Sequence, residues 1–105
     1  MIITHSTPNR IQRANDFRDR KLEAGYLWGT HVFQIDSTSQ GMITGRASKI
    51  LSVKSRGEVC PDFFWRAMDD SLVLFTQDEF LAFAEEVDDY VESVYQESWQ
   101  LKDGT

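Results

Sequence analysis

A chain of 105 residues, 41% apolar and 12% aromatic, can build one packed core; it excludes a disordered chain and argues against two separate domains. Its formal charge of −6 argues against nucleic acid as a partner, because binding phosphates needs clustered positive charge. That total divides unevenly, into +5 over residues 1–56 and −11 over residues 57–105.

One domain over 1–105 is expected, with residues 1–7 flexible at its start. Thr7 as N-cap and Pro8 at the first helical position predict a helix over about 8–24. Ile11, Ala14, Phe17 and Leu22 recur along it at helical spacing, and Gly25 is placed to end it. Its remaining faces are basic on balance, with Arg10, Arg13, Arg18, Arg20 and Lys21. Tyr26-Leu27-Trp28 and Val32-Phe33-Gln34-Ile35 flank Gly29-Thr30, which reads as a hairpin. Asp36-Ser37-Thr38-Ser39 ends the hairpin and offers several N-caps, and Ser37 with Gln40 fits a capping box. The helix that follows carries Met42, Ile43, Ala47, Ile50 and Leu51 as its apolar face. Gly41 and Gly45 would weaken that helix, so a close approach by another backbone is expected there rather than a phosphate contact.

Residues 52–62 read as a loop. A second hairpin is predicted from Phe63–Ala67, a turn at Met68–Ser71 and Leu72–Phe75. Its last strand is almost wholly apolar, which predicts cover on both faces. Thr76 with Glu79 is a capping box opening a helix over 77–103, which Gly104 ends. Phe80, Ala84, Val87, Val91, Val94, Ser98 and Leu101 form a heptad seam along it, widened by Phe83, Tyr90 and Tyr95. A helix of about 40 Å outruns a compact domain whose radius of gyration would be about 13 Å. Two readings stand open: the helix covers the sheet, or its distal turns meet the same helix of a neighbouring copy. The run Glu85-Glu86, Asp88-Asp89, Glu92 is self-repelling at i,i+4, and the basic first helix would relieve it from the same chain or a neighbour.

Catalytic chemistry is not legible. Cys60 is the single cysteine, so no intrachain disulfide can form, and its apolar flanks predict a buried, inert thiol. His5 lies near the start of the chain, and His31 has Asp36 as its nearest carboxylate along the chain, on the opposite strand face. No serine sits in a Gly-x-Ser-x-Gly elbow and no glycines spell a phosphate-binding loop. No enzyme, cofactor or metal site is expected. No apolar run is long enough for a membrane span, and Met1-Ile2-Ile3-Thr4-His5 argues against a signal peptide. Trp28 and Trp65 are expected in the core and Trp99 outside it. The chemistry left is contact between proteins, for which Phe83, Tyr90, Val94, Tyr95, Trp99 and Leu101 are the interface candidates.

The elements in order give an α+β fold: helix, hairpin, helix, hairpin, long helix, with a small antiparallel sheet of the two hairpins packed against the helices. Arg18-Asp19-Arg20-Lys21-Leu22-Glu23-Ala24-Gly25-Tyr26, Val32-Phe33-Gln34-Ile35-Asp36 and Ser39-Gln40-Gly41-Met42-Ile43-Thr44-Gly45 form the first half of a pattern. Phe64-Trp65-Arg66-Ala67, Asp69-Asp70, Val73-Leu74-Phe75-Thr76, Glu79-Phe80 and Leu101-Lys102-Asp103 form the second. Over residues 10–103 this order resembles a family of phage and prophage tail-region proteins of unknown function, found alone or as the C-terminal part of longer tail proteins. The resemblance implies a structural or adaptor protein of a tail, baseplate or tail-fibre attachment region, made in the host cytoplasm and present in the virion. It also implies several copies, as a homo-oligomer or within an assembly, and other tail or fibre proteins as partners; the charge and the lack of a long apolar run add the expectation of no nucleic acid and no membrane. The alternatives are a tail-fibre assembly chaperone and an acidic DNA mimic acting on a host enzyme.

Overall fold

The computed structural model describes residues 6–103, with side chains from residue 9 onward. His5 and the helix stop at Gly104 lie outside the described residues, as does the expected flexibility of residues 1–5. Ser6 and Thr7 are already helical, so α1 (Ser6–Glu23) opens ahead of the Thr7-Pro8 signal and Thr7 falls within its first turn. The fold is α+β, as the element order implied. After α1 come β1 (Tyr26–Trp28), β2 (His31–Phe33), α2 (Ser37–Ser55), β3 (Phe63–Arg66), β4 (Leu72–Phe75) and α3 (Gln77–Asp103).

Rather than joining in one small sheet, each hairpin is its own two-stranded antiparallel sheet, pairing Tyr26 with Phe33 and Trp28 with His31 in one, Phe63 with Phe75 and Arg66 with Leu72 in the other. A backbone bond from Met68 N–H to Val32 O, 2.8 Å, joins the two. Gly25 makes that junction possible. Its φ is +83°, and a Cβ there would lie 2.7 Å from Phe33 O and 2.8 Å from Met68 Cε. Ile35 is fully buried but lies beyond β2, so the first hairpin is shorter than its apolar run.

The cap of α2 is Asp36 rather than Ser37. Its carboxylate accepts from Ser39 N–H at 2.8 Å, while Gln40 Nε2 donates to Ile35 O at 2.8 Å. The loop expected at 52–62 starts later, because half-buried Val53 extends the stripe of Ile43 and Ile50 and keeps the helix going to Ser55. Met42 and Leu51 fall off that stripe and are 58% and 56% exposed. Gly41 and Gly45 meet no close backbone: a Cβ on either would face open space.

α3 opens with the expected capping box, Glu79 N–H to Thr76 Oγ1 at 3.2 Å and Thr76 N–H to Glu79 Oε1 at 2.9 Å. Its first half covers an aromatic core in which Phe33, Phe75, Phe80 and Phe83 pack at ring separations of 5.0–5.8 Å. Trp28 and Trp65 join this cluster, at 5.5 Å from Phe83 and 4.8 Å from Phe80. The heptad seam is buried at Phe80, Val87, Val94 and Ser98, but Leu101 stays 43% exposed.

The distal half of α3 is covered by α1 rather than by a sheet. Arg18 stacks over the Tyr95 ring, and Arg10 lines a groove with Leu101, so the two helices run antiparallel. Small buried residues, Ala14 and Ser98, let them approach closely. The pair forms an arm that stretches the molecule to 67 × 29 × 19 Å, with a Cα radius of gyration of 17.7 Å against the roughly 13 Å of a compact chain of this size.

Candidate functional site

Two surfaces stand out. Among the described residues no three His, Cys, Asp or Glu side chains converge as a metal site, and no helix is long and apolar enough to cross a membrane. Cys60 is half-buried beside the core rather than sealed within it, and its N–H donates to Gln77 Oε1 at 3.0 Å. His31 has Thr30 Oγ1 at 3.4 Å, and the turn of the second hairpin brings Asp69 to the same shallow cleft. The Asp69 carboxyl is held below the ordinary range by the Ser71 N–H that it accepts at 3.0 Å, with His31 a lesser influence.

The first surface is the outer face of the second hairpin. The register pairs Phe64 with Leu74 and Arg66 with Leu72 on one side of the sheet. Phe64, Leu72 and Leu74 are 62%, 57% and 54% exposed, so the expected cover on both faces of β4 is present on only one. The other side, Phe63, Trp65, Val73 and Phe75, faces the core. The reason lies in topology: α3 and α2 pack on the inner side, and α1 is spent along the arm. Met42 borders the bare face, and between them opens a cavity of about 280 Å³ reached by Gln34, Ser39, Arg66 and Asp70. Arg66 spans its rim, with Nη1 3.7 Å from the Asp70 carboxylate.

The second surface is on the arm. Arg10, Arg13, Asp16, Phe17, Arg20 and Leu101 line a groove of about 540 Å³ along the outer flank of α1. Its floor is apolar and its walls are largely cationic. Arg10, Arg13 and Arg20 form no ion pair among the described residues. Among the described residues no ion pair joins the basic α1 to the acidic run of α3. Glu85, Glu86, Asp88, Asp89 and Glu92 are all exposed, and Glu86 accepts a bond from Tyr26 Oη at 2.8 Å.

The six interface candidates scatter. Phe83 and Val94 are buried in the chain's own packing and offer no surface. Tyr90 is half-buried, 5.3 Å from the Tyr26 ring. Tyr95 lies between Arg18 and Trp99, its ring centroid 5.5 Å from the guanidinium carbon and 6.1 Å from the indole. Trp99 and Leu101 are 52% and 43% exposed, on opposite flanks of α3. Phe64, Leu72, Leu74 and Met42 escape a reading of the sequence because an apolar strand looks the same whether one face or both are covered. The signal that could have found them is a shortage of covering helices once α3 is assigned to the heptad seam.

A family model for a domain of unknown function, DUF4376, matches residues 7–105. The chain belongs to the DUF4376 family. Neither the curated proteins nor the solved structures contain a match. For this DUF4376 chain, the case for function therefore rests on the two surfaces and on the residue pattern.

Proposed function

We propose that this DUF4376 protein is a non-enzymatic structural or adaptor component of a bacteriophage tail, baseplate or tail-fibre attachment region, working by contact with other tail or fibre proteins and with copies of itself. The observation that carries the contact reading is the bare hairpin face. Three large apolar side chains more than half exposed on one short sheet, with Met42 beside them, make the kind of contiguous patch that monomers seldom leave to water. Among the described residues both β3 and β4 also keep an unpaired edge, since their sheet has two strands there. The order and spacing of the motifs over residues 10–103 support the phage setting.

The test combines place and contact. Purified virions of a phage encoding the protein should contain it by mass spectrometry. A Phe64→Ser/Leu74→Ser variant should keep its fold by circular dichroism yet lose co-purification with the tail proteins encoded beside it. Absence from virions together with retained binding would favour a transient assembly chaperone using the same face. A variant that binds every neighbouring tail protein as well as the parent does would remove the hairpin face from the proposal. A DNA mimic fares worse, because the acidic helix shares its arm with a row of arginines.

A further inference from the structure

We infer that the arm is a self-association surface: the arginine-lined groove on α1 of one copy takes the acidic flank of α3 from a second copy, making a four-helix bundle. This specifies the self-contact within the proposed function, but it is read from the arm alone and stands or falls apart from the hairpin face.

Three observations lead there. The groove suits an amphipathic acidic helix: among the described residues its lining is apolar at Phe17 and Leu101 and cationic at Arg10, Arg13 and Arg20, with one carboxylate, Asp16. This chain itself carries such a helix. Steps of four and three residues place Glu86, Tyr90, Ser93, Glu97 and Leu101 down one flank of α3, with Asp89 at its edge. Glu86, Asp89 and Glu97 are all exposed. Lastly, the two sets of charges do not meet within one chain, since none of the three arginines is ion-paired among the described residues.

Symmetry then fixes how the sets meet between chains. Helices of the arm are antiparallel, with Arg18 level with Tyr95. At a rise of about 1.5 Å per residue, Arg20 is level with the turn containing Ser93, and Arg13 with the last turns of α3. A two-fold axis running along the arm lays α1 of one copy over α3 of the other at equal height. Arg13 then reaches the partner's Glu97 and Arg20 the partner's Asp89, and the same two contacts recur across the axis. A two-fold axis at right angles to the arm, within the interface, would instead lay α1 on α1 and oppose arginine to arginine.

Sedimentation velocity of the whole chain, over a concentration series and at low and high salt, reads this directly. A dimer at low salt that weakens at high salt is expected, because partly exposed charge pairs are screened. Arg13→Glu/Arg20→Glu and Asp89→Arg/Glu97→Arg should each weaken the dimer by at least about tenfold while keeping the helical circular-dichroism signal. Mixed in equal amounts, the two variants should re-form a dimer, since every reversed charge then faces its opposite. Loss of packing within a chain cannot produce that recovery. A monomer at high micromolar concentration overturns the inference. So does a dimer that neither charge-reversed variant weakens, as does a monomer whose groove binds only a foreign acidic peptide.

Discussion

At the scale of single residues, the fold depends on a few contacts whose chemistry can be titrated or cut. Tyr26 donates its phenol proton to Glu86, and that bond is the main reason its ionisation is pushed above the ordinary tyrosine value. Raised in the folded state, the group contributes stability below the unfolded pKa of about 10, and loses it as pH climbs through the folded value. Tyr26→Phe should therefore lower the melting temperature at pH 8 and narrow the gap between variant and parent at pH 11. Asp36 works in the opposite sense. Its hydrogen bonds from Ser39 hold the carboxyl below the usual range, so its share of stability is present above the unfolded pKa and lost as pH falls through the folded one. An Asp36→Asn variant should show a flatter loss of α2 helicity between pH 5 and pH 2 than the parent. Phe83, fully buried between α3 and both hairpins, is the costliest truncation: Phe83→Ala should lose about 3–5 kcal/mol in urea unfolding.

Elements show where pattern reading succeeds and where it stops. The heptad seam of α3 and its capping box were legible because each is local, a spacing or a pair of residues three apart. The end of α2 was not, because Val53 reads as helix or loop until something packs against it. The glycines of α2 illustrate the same limit. Their presence implied a neighbour, yet space beside Gly41 and Gly45 is open. Each Gly→Ala change there should raise stability by about 0.5–1 kcal/mol by thermal or urea unfolding, since the helix gains propensity with nothing to clash. Gly25→Ala should do the reverse, because its φ and its contacts with the second hairpin leave no room for a methyl group. Asn15 marks a soft point in α1. Its side-chain oxygen is buried without a hydrogen-bond partner among the described residues, so Asn15→Ala should cost little or even stabilise. The candidate site was half legible: Trp99 lies at the surface as expected and Leu101 stays exposed although it belongs to the seam, whereas Phe83 is spent in the aromatic core and Val94 in the buried seam of the arm.

For the whole molecule, the decisive fact is that the chain is long and thin. A two-helix arm buries one seam, with Ala14, Val94 and Ser98 as its buried residues, while the aromatic cluster fills the other end. Protection of amides against hydrogen exchange should therefore be graded, slow in α3 around Phe80–Val87 and faster toward Ile11 and Leu101. A flat exchange profile in the free monomer would contradict that distribution of burial. The uneven charge halves take on a spatial meaning here too, since the two helices of the arm present opposite signs side by side with no ion pair between them among the described residues.

The antiparallel course of α1 and α3 has one more consequence. Both helices reach their outer ends at the same pole, while the bare hairpin face sits where α3 begins, about 40 Å away along its axis. Ser6 and Asp103 thus lie together at the pole remote from that face. The described chain is a strut, and its sticky tip stands clear of the pole where the two helices meet.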